Sequence, residues 1–359
     1  MRVTKEEVEQ RDQLVKQKLL RCDDLGDLRV YSYVNKTQKW DDIILNSRGI
    51  ILNRKTGEVV ARAFPKFFNT NQTKETQEHN LPWKDGFRLF RKEDGWLGIL
   101  YRHDNQHKIA TRGSFKSIGA VWATEFLKKY DLTGLPDEVT LLFELICPAT
   151  RIVVDYGNRE DLILLGAYNR HTGVEYCWER VELWGRQFGF TLAESYDQTY
   201  LGYCRGQIKT IPGSELEGFI VRFTNGLRVK IKSKDYLRRS NLLADLTPLG
   251  VWDTMVTGLV PEVMWRVVDV DYHNELDRLA ASLELEYMTL LLEIKKQFLS
   301  VLGKVSTVPN LSGRAAFANL VKEMKHQLAM FAIFDGNHRR VEEYIMKQIR
   351  PHKNVLKEN

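Results

Sequence analysis

Lys92 stands in the stretch RKEDGWLGIL (91–100), a lysine in a tight acidic turn just before an apolar run. Two readings fit that setting: a solvated turn charge, or an amine nucleophile. A lysine amine is cationic at neutral pH, with a reference pKa of about 10.4, so a nucleophilic Lys92 needs a pocket that favours its neutral form. Neighbouring cations and partial desolvation would provide one. Further along, VKIKSK places Lys230 and Lys232 two apart on a strand, hence on one face, where both can reach a phosphate. The same segment also fits a solvated edge strand. Taken singly, lysine, aspartate and glycine are ordinary hairpin residues, and a lone Lys-x-Asp-Gly decides nothing.

The elements that must position these residues are legible as a change of period along the chain. Thr4 and Glu7 form a capping box ahead of EEVEQRDQLVKQKLL, which reads as an opening helix. From about residue 29 to 235, short β-branched and aromatic runs alternate with turn signals at 53–57, 104–107, 171–173 and 224–226. Helices are expected at 116–130 and 176–189. This is an antiparallel α+β pattern rather than an alternating parallel one. Beyond about 240 the strands stop, and ELDRLAASLELEYMTLLLEIKKQFLSVL, GRAAFANLVKEMKHQLAMFAIF and HRRVEEYIMKQIR carry apolar residues at helical spacing. Two domains are therefore expected, 1–240 and an all-helical 241–359, with a loose tail PHKNVLKEN.

Composition sets the outer bounds. The 359 residues are 43% hydrophobic, enough for a large core. The 53 Lys and Arg against 47 Asp and Glu give a net charge of +6, a mixed surface that fits a local basic groove better than a uniformly basic coat. Cys22, Cys147, Cys177 and Cys204 form no CxxC pair, which argues against a zinc site or disulfide framework and for thiols in a reducing compartment. His103 and His107, in HDNQH, read as a polar hairpin turn rather than a metal pair. The amino terminus lacks an apolar signal core and no run of about 18 apolar residues occurs, so a cytoplasmic protein with no membrane partner is expected.

Order and spacing add what single motifs lack. KEDG is followed by Ala110-Thr111-Arg112-Gly113-Ser114, Leu142-Phe143-Glu144-Leu145, Leu164-Leu165-Gly166-Ala167-Tyr168, Leu216-Glu217-Gly218-Phe219 and Val229-Lys230-Ile231-Lys232. This ordered set resembles motifs I, Ia, III, IIIa, IV and V of the covalent nucleotidyltransferases: DNA ligases, RNA ligases and mRNA capping enzymes. Upstream, Ser47-Arg48-Gly49-Ile50-Ile51 and Pro65-Lys66-Phe67-Phe68-Asn69 narrow the match to the ATP-dependent RNA ligases of the phage tRNA-repair type, the family of bacteriophage T4 RNA ligase 1. The resemblance covers roughly 40–240 well and the helical remainder only by position and length.

That resemblance implies a role for each matched residue. Lys92 is the nucleophile, and Lys230 and Lys232 stabilise charge on the α-phosphate. Arg48 and Lys66 hold the polyphosphate, Phe68 and Asn69 carry over from the same match, and Arg112 stands where relatives have lysine. Glu144 is the ribose-hydroxyl partner and Tyr168 the base-stacking candidate. Glu93, Asp94, Gly95 and Gly218 complete the nucleotide site. Glu217 is favoured as the metal-linked residue, with Asp94 beside it, since Mg²⁺ or Mn²⁺ binds through one or two carboxylates plus phosphates and waters. Trp96 departs from the serine or threonine that often follows the motif. The implied substrates are ATP and RNA bearing 5′-phosphate and 3′-hydroxyl ends, with nicked tRNA as the family's suggestion, and a host cytoplasm if the gene is a phage's. Two alternatives remain: another nucleotidyltransferase, which would usually continue into a β-rich domain, and a non-catalytic RNA-binding module, which would be expected to have lost Lys92 or the Lys230/Lys232 pair.

Overall fold

The computed structural model describes residues 3–34, 40–245, 247–256, 273–308, 311 and 313–351. The expected loose tail from residue 352 lies outside them. The chain divides into two compact units, Met1–Leu237 and Arg238–Asn359.

The first unit opens with α1 (Lys5–Lys16), whose capping box is formed: Thr4 Oγ1 accepts from Glu7 N at 3.1 Å and Glu7 Oε2 accepts from Thr4 N at 3.0 Å. The helix is shorter than its apolar spacing predicts. Lys18 takes a positive φ of 61°, and Leu20 already begins a strand, so LRCDDL pairs rather than coils.

Three sheets follow. The first joins β1 (Leu20–Leu25), β2 (Leu28–Tyr33), β3 (Arg48–Asn53) and β4 (Val59–Ala61) in sequence order, with α2 (Asp42–Asn46) between β2 and β3. Next come β5 (Phe68–Asn69), β6 (Phe87–Lys92), β7 (Trp96–His103), β8 (Gln106–Thr111), α3 (Ile118–Leu127), β9 (Val139–Ile146) and β10 (Asp161–Asn169). The first unit is completed by α4 (Trp178–Phe188), β11 (Thr191–Leu192), β12 (Ser195–Asp197), α5 (Leu201–Thr210), β13 (Gly218–Phe223) and β14 (Arg228–Lys232). The second sheet runs β11-β10-β9-β7-β8 and the third β12-β6-β13-β14-β5, antiparallel except for the two short edge pairs β10–β11 and β14–β5. The predicted hairpins at 104–107 and 224–226 are present; Asp104 and Asn105 both take positive φ, the signature of a two-residue turn matched to sheet twist. His103 and His107 flank that turn, as expected of a polar hairpin.

The first and second sheets face each other across Val30, Ile51, Ile99 and Leu142, while α3 and α4 cover the second sheet's other side. β9 is therefore buried at all eight positions, which is why VTLLFELI reads as a continuous apolar run. Glu144 is its single charged residue. The third sheet packs Leu89, Phe219 and Val221 against α5 and Trp83.

Directly after β14, α6 (Lys234–Asp245) begins. The second unit contains α7 (Pro248–Val256), α8 (His273–Val305), α9 (Gly313–Val321), α10 (Gln327–Phe334) and α11 (His338–Ile349). The apolar run 313–334 reads as one helix but is broken near His326, whose buried ring bonds Glu293 at 3.2 Å and Tyr344 at 3.1 Å. No described helix is long and apolar enough to cross a membrane.

Candidate active site

β6 ends at Lys92, and residues 93–95 carry the chain from the third sheet to the second, where β7 begins. The register sets Lys92 opposite Gly218 on β13, and Gly218 opposite Lys232 on β14. A Cβ on Gly218, whose φ is +147°, would sit 2.1 Å from Ile231 O, so only glycine lets these strands close. Glu217, just before it, is 2% exposed and holds both lysines: one oxygen accepts from Lys92 Nζ at 2.8 Å, the other from Lys232 Nζ at 2.7 Å.

The electrostatics correct one expectation. Burial pushes the Lys92 amine down, but Glu217, then Glu144 and Asp94, outweigh it, and its pKa is raised. Its strongest charged neighbours are carboxylates, so it is an ammonium ion here. The neutral lysine is Lys230: burial first, then Arg48, Lys66, Lys92 and Lys232 push its pKa down to about 6. Its amine lies over the Phe67 ring at 4.6 Å.

Beside Glu217, two further carboxylates, Glu144 and Asp94, act on Lys92. Glu144 reaches out of β9 and accepts from Gly95 N–H at 3.0 Å; burial raises its pKa to about 7 against the pull of Lys92. Asp94 is also raised by burial and by Glu217. Its Oδ2 accepts from the N–H groups of Val153 and Val154, each at 2.8 Å, and its Oδ1 from Tyr236 OH at 2.6 Å. Three protein donors thus tie Asp94 down as an anchor of the 93–95 loop. Glu93 accepts from Tyr156 OH at 2.8 Å, and that oxygen accepts from Asp94 N–H at 2.9 Å.

A second cluster comes from the first sheet. Residue 49 is the extra one in a bulge between β2 and β3, and Gly49, at φ +90°, leaves no room for a Cβ beside Ile99. Such a bulge re-aims its neighbour, here Arg48, toward the pocket. The Arg112 guanidinium lies over the Tyr33 ring at 4.9 Å and the Lys66 amine at 5.4 Å. Arg48, Lys66 and Arg112 overcome burial and pull the Tyr33 phenol below its usual pKa. Lys66 and Arg48 are both lowered, chiefly by burial.

The cavity beside Lys92 and Lys230 is walled by Phe67, Phe90, Leu97, Leu165 and Ile220, with Arg48 and Glu144 also lining it. Leu165 turns inward at a register shift between β9 and β10. Tyr168, expected as the stacking wall, lies elsewhere: it is 6% exposed, edge-on to Phe64 at 5.8 Å, and donates to Glu175 at 3.2 Å. Tyr168 and Phe68 line a neighbouring cavity with Trp40 and Lys66. Asn69 pairs with Lys230 across β5 and β14, and its amide oxygen is buried with no hydrogen-bond partner among the described residues, an acceptor left open. Trp96 is accounted for by packing, since a Cβ on Gly119 of α3 would meet its ring at 2.9 Å.

Sequence reasoning missed Tyr33, Tyr156 and Tyr236, whose hydroxyls or rings organise the loop and the cations. It also missed Glu175, which pairs with Arg228 at 2.7 Å and Arg222 at 3.3 Å on the cavity wall. The available signal was a tyrosine alternating with apolar residues in LRVYSYV, since a buried phenol needs a partner. Among the described residues no group of three or more His, Cys, Asp or Glu is arranged to hold a metal alone. Both Glu217 oxygens are bonded by lysines, so Mg²⁺, which keeps waters and takes phosphate oxygens, would meet this carboxylate through water or where a lysine has released it.

A family profile described as RNA ligase matches residues 46–236. A putative RNA ligase of Thermovibrio ammonificans is 31% identical over 234 residues, covering 62% of this chain and 59% of that protein. A putative bifunctional polynucleotide kinase/RNA ligase of Autographa californica nuclear polyhedrosis virus is 28% identical over 236 residues, 59% of this chain and 33% of that one. The chain thus matches about a third to three fifths of these curated relatives' lengths. Among solved structures, an archaeal ATP-dependent RNA ligase gives a TM-score of 0.48 at 13% identity, covering 78% of each chain. A putative ATP-dependent DNA ligase from Aquifex aeolicus gives 0.47 at 13%, covering 89% of this chain and 88% of that one. With the profile spanning the strands that carry Lys92, Glu144, Glu217, Lys230 and Lys232, the chain belongs to the RNA ligase family.

Proposed function

We propose that the chain is an ATP-dependent RNA ligase that joins a 5′-phosphate to a 3′-hydroxyl, with Lys92 as the AMP carrier. The observation that carries this reading is the buried Glu217 shared by Lys92 and Lys232 across adjacent strands. An ammonium cannot attack, and Glu217 Oε2, 2.8 Å away, is the nearest base for its proton. The freed amine attacks the α-phosphorus of ATP; a P–N bond forms and the bond to pyrophosphate breaks. Lys230 and Lys232 stabilise charge on the α-phosphate, while Arg48, Lys66 and Arg112 hold the departing pyrophosphate. Glu144 orients the ribose. Glu217 would meet a divalent cation, Mg²⁺ or Mn²⁺, through water or where a lysine has released an oxygen, and the ion when bound would supply positive charge at the phosphates. AMP then passes to the RNA 5′-phosphate, and the 3′-hydroxyl displaces it.

The first unit is the adenylating domain in this reading, and the helical unit sets RNA preference, nicked tRNA being the substrate the resemblance suggests. Four free cysteines support a reducing, cytoplasmic setting. Incubation with α-labelled ATP, denaturation and electrophoresis test the proposal. Wild type should carry label and Lys92→Ala none, while Lys92→Ala should still join chemically pre-adenylated RNA, since that step needs no amine. Label persisting in Lys92→Ala would remove Lys92 from its role.

A further inference from the structure

An open groove of about 610 Å³ lies in the first unit between α5 and the junction of β14 with α6. Isoleucines from α5, its exit and β14 give it apolar lining, and four cations, Arg205, Lys209, Lys232 and Lys234, face two carboxylates, Glu78 and Asp235. Both carboxylates are engaged. Glu78 pairs with Arg205, whose guanidinium also lies 5.3 Å over Trp83, and Asp235 accepts from Gly213 N–H at 2.8 Å. Lys209 and Lys234 are exposed and have no carboxylate partner among the described residues. Lys232 joins the groove to the reaction centre, because its amine bonds the same Glu217 that holds Lys92.

The helix itself carries an independent signal. Gly202, Arg205, Gly206 and Lys209 are spaced i, i+3, i+4, i+7 and so share one face of α5. A Cβ on either glycine would meet nothing within 4 Å, so packing does not call for them. Glycine is disfavoured against alanine inside a helix, and here the two leave the backbone bare beside Arg205 and Lys209, which line the groove. A smooth cationic face over apolar lining suits a chain of phosphates and sugars.

We propose that this groove holds the phosphodiester backbone of one of the two RNA strands and leads its end to Lys232 and Glu217. The inference rests on the ligase reading above and adds a path for the RNA. Its test uses the full chain carrying Lys209→Glu or Lys209→Arg, with separate 5′-phosphorylated and 3′-hydroxyl strands. Lysyl-AMP formation should be unchanged in both. In Lys209→Glu the KM for one strand should rise about tenfold, and the plot of log affinity against log salt should become shallower by about one unit. Lys209→Arg should match wild type. The strand whose KM rises is the occupant. Unchanged KM for both strands and an unchanged salt slope in Lys209→Glu overturn the groove while leaving the ligase reading intact. Absence of lysyl-AMP in wild type overturns the ligase reading and the groove together.

Discussion

The two ends of the cavity beside Lys92 hold lysines in opposite charge states. At one end Lys92 sits among Glu217, Glu144 and Asp94 and is kept protonated in spite of burial. At the other, Lys230 sits among Arg48, Lys66 and its fellow lysines and is pushed down to about 6. Burial acts the same way on both, so the difference is made by the neighbours. In the proposed reading, the carboxylate end holds the nucleophile in reserve, and the cation end stores repulsion that an arriving polyphosphate relieves.

Removing Glu217 should break this contrast most severely. Glu217→Ala leaves two lysines without their buried partner and takes away the nearest base, so lysyl-AMP formation should fall on the order of a thousandfold. A loss under tenfold, read from labelled-ATP kinetics, would mean that the carboxylate end does not govern the nucleophile. Lys230→Met attacks the other end and should slow adenylation about a hundredfold, yet it should stabilise the fold. The sign follows from linkage: folded Lys230 has a pKa near 6 against 10.5 in the reference state, so between those values the unfolded chain binds the extra proton and stability rises with pH. Lys230→Met should flatten that slope and gain on the order of 1–2 kcal/mol at pH 7; an unchanged or lower Tm would show that Lys230 is not strained.

Smaller effects separate the cations from one another. Lys66→Ala and Arg112→Ala should each raise KM for ATP about tenfold, more than they lower kcat, if their work is to hold pyrophosphate oxygens. A pure kcat effect would place them at the reacting phosphorus instead. Last, triphosphate binding should recharge Lys230. Calorimetry at pH 7–8 in buffers of different ionisation enthalpy should show uptake of a fraction of a proton, absent in Lys230→Met. Proton release in wild type would contradict the neutral state.

What could be seen in the sequence was whatever depends on local order. KEDG, the LLFELI carboxylate and the VKIK pair announce themselves by residue type, and the hairpins by their turn residues. The short edge strands β5, β11 and β12 gave too few residues for any period, and α5 was hidden by its glycines. Within the site, what could not be read was direction. Tyr168 alternates correctly for a pocket wall, but the register shift at Leu165 hands that place to Leu165 and turns Tyr168 toward Glu175. Asp94 has the chemistry of a metal ligand, and its anchoring partners lie far along the chain: the 153–154 backbone, some sixty residues away, bonds Oδ2, and Tyr236 bonds Oδ1. The charge on Lys92 depends on a partner 125 residues away and could not be read beside it.

That last separation bears on how the protein is made. KEDG leaves the ribosome long before Glu217, the partner of its lysine: β6 waits for β13, and the loop anchor waits for Tyr236. Closing so long a loop is slow and becomes favourable only once the later strands are present. A nascent chain halted before residue 217 would display KEDG without Glu217, the carboxylate that bonds the Lys92 amine, so in the proposed reading unfinished chains would not consume ATP and activity would begin only after the third sheet is complete.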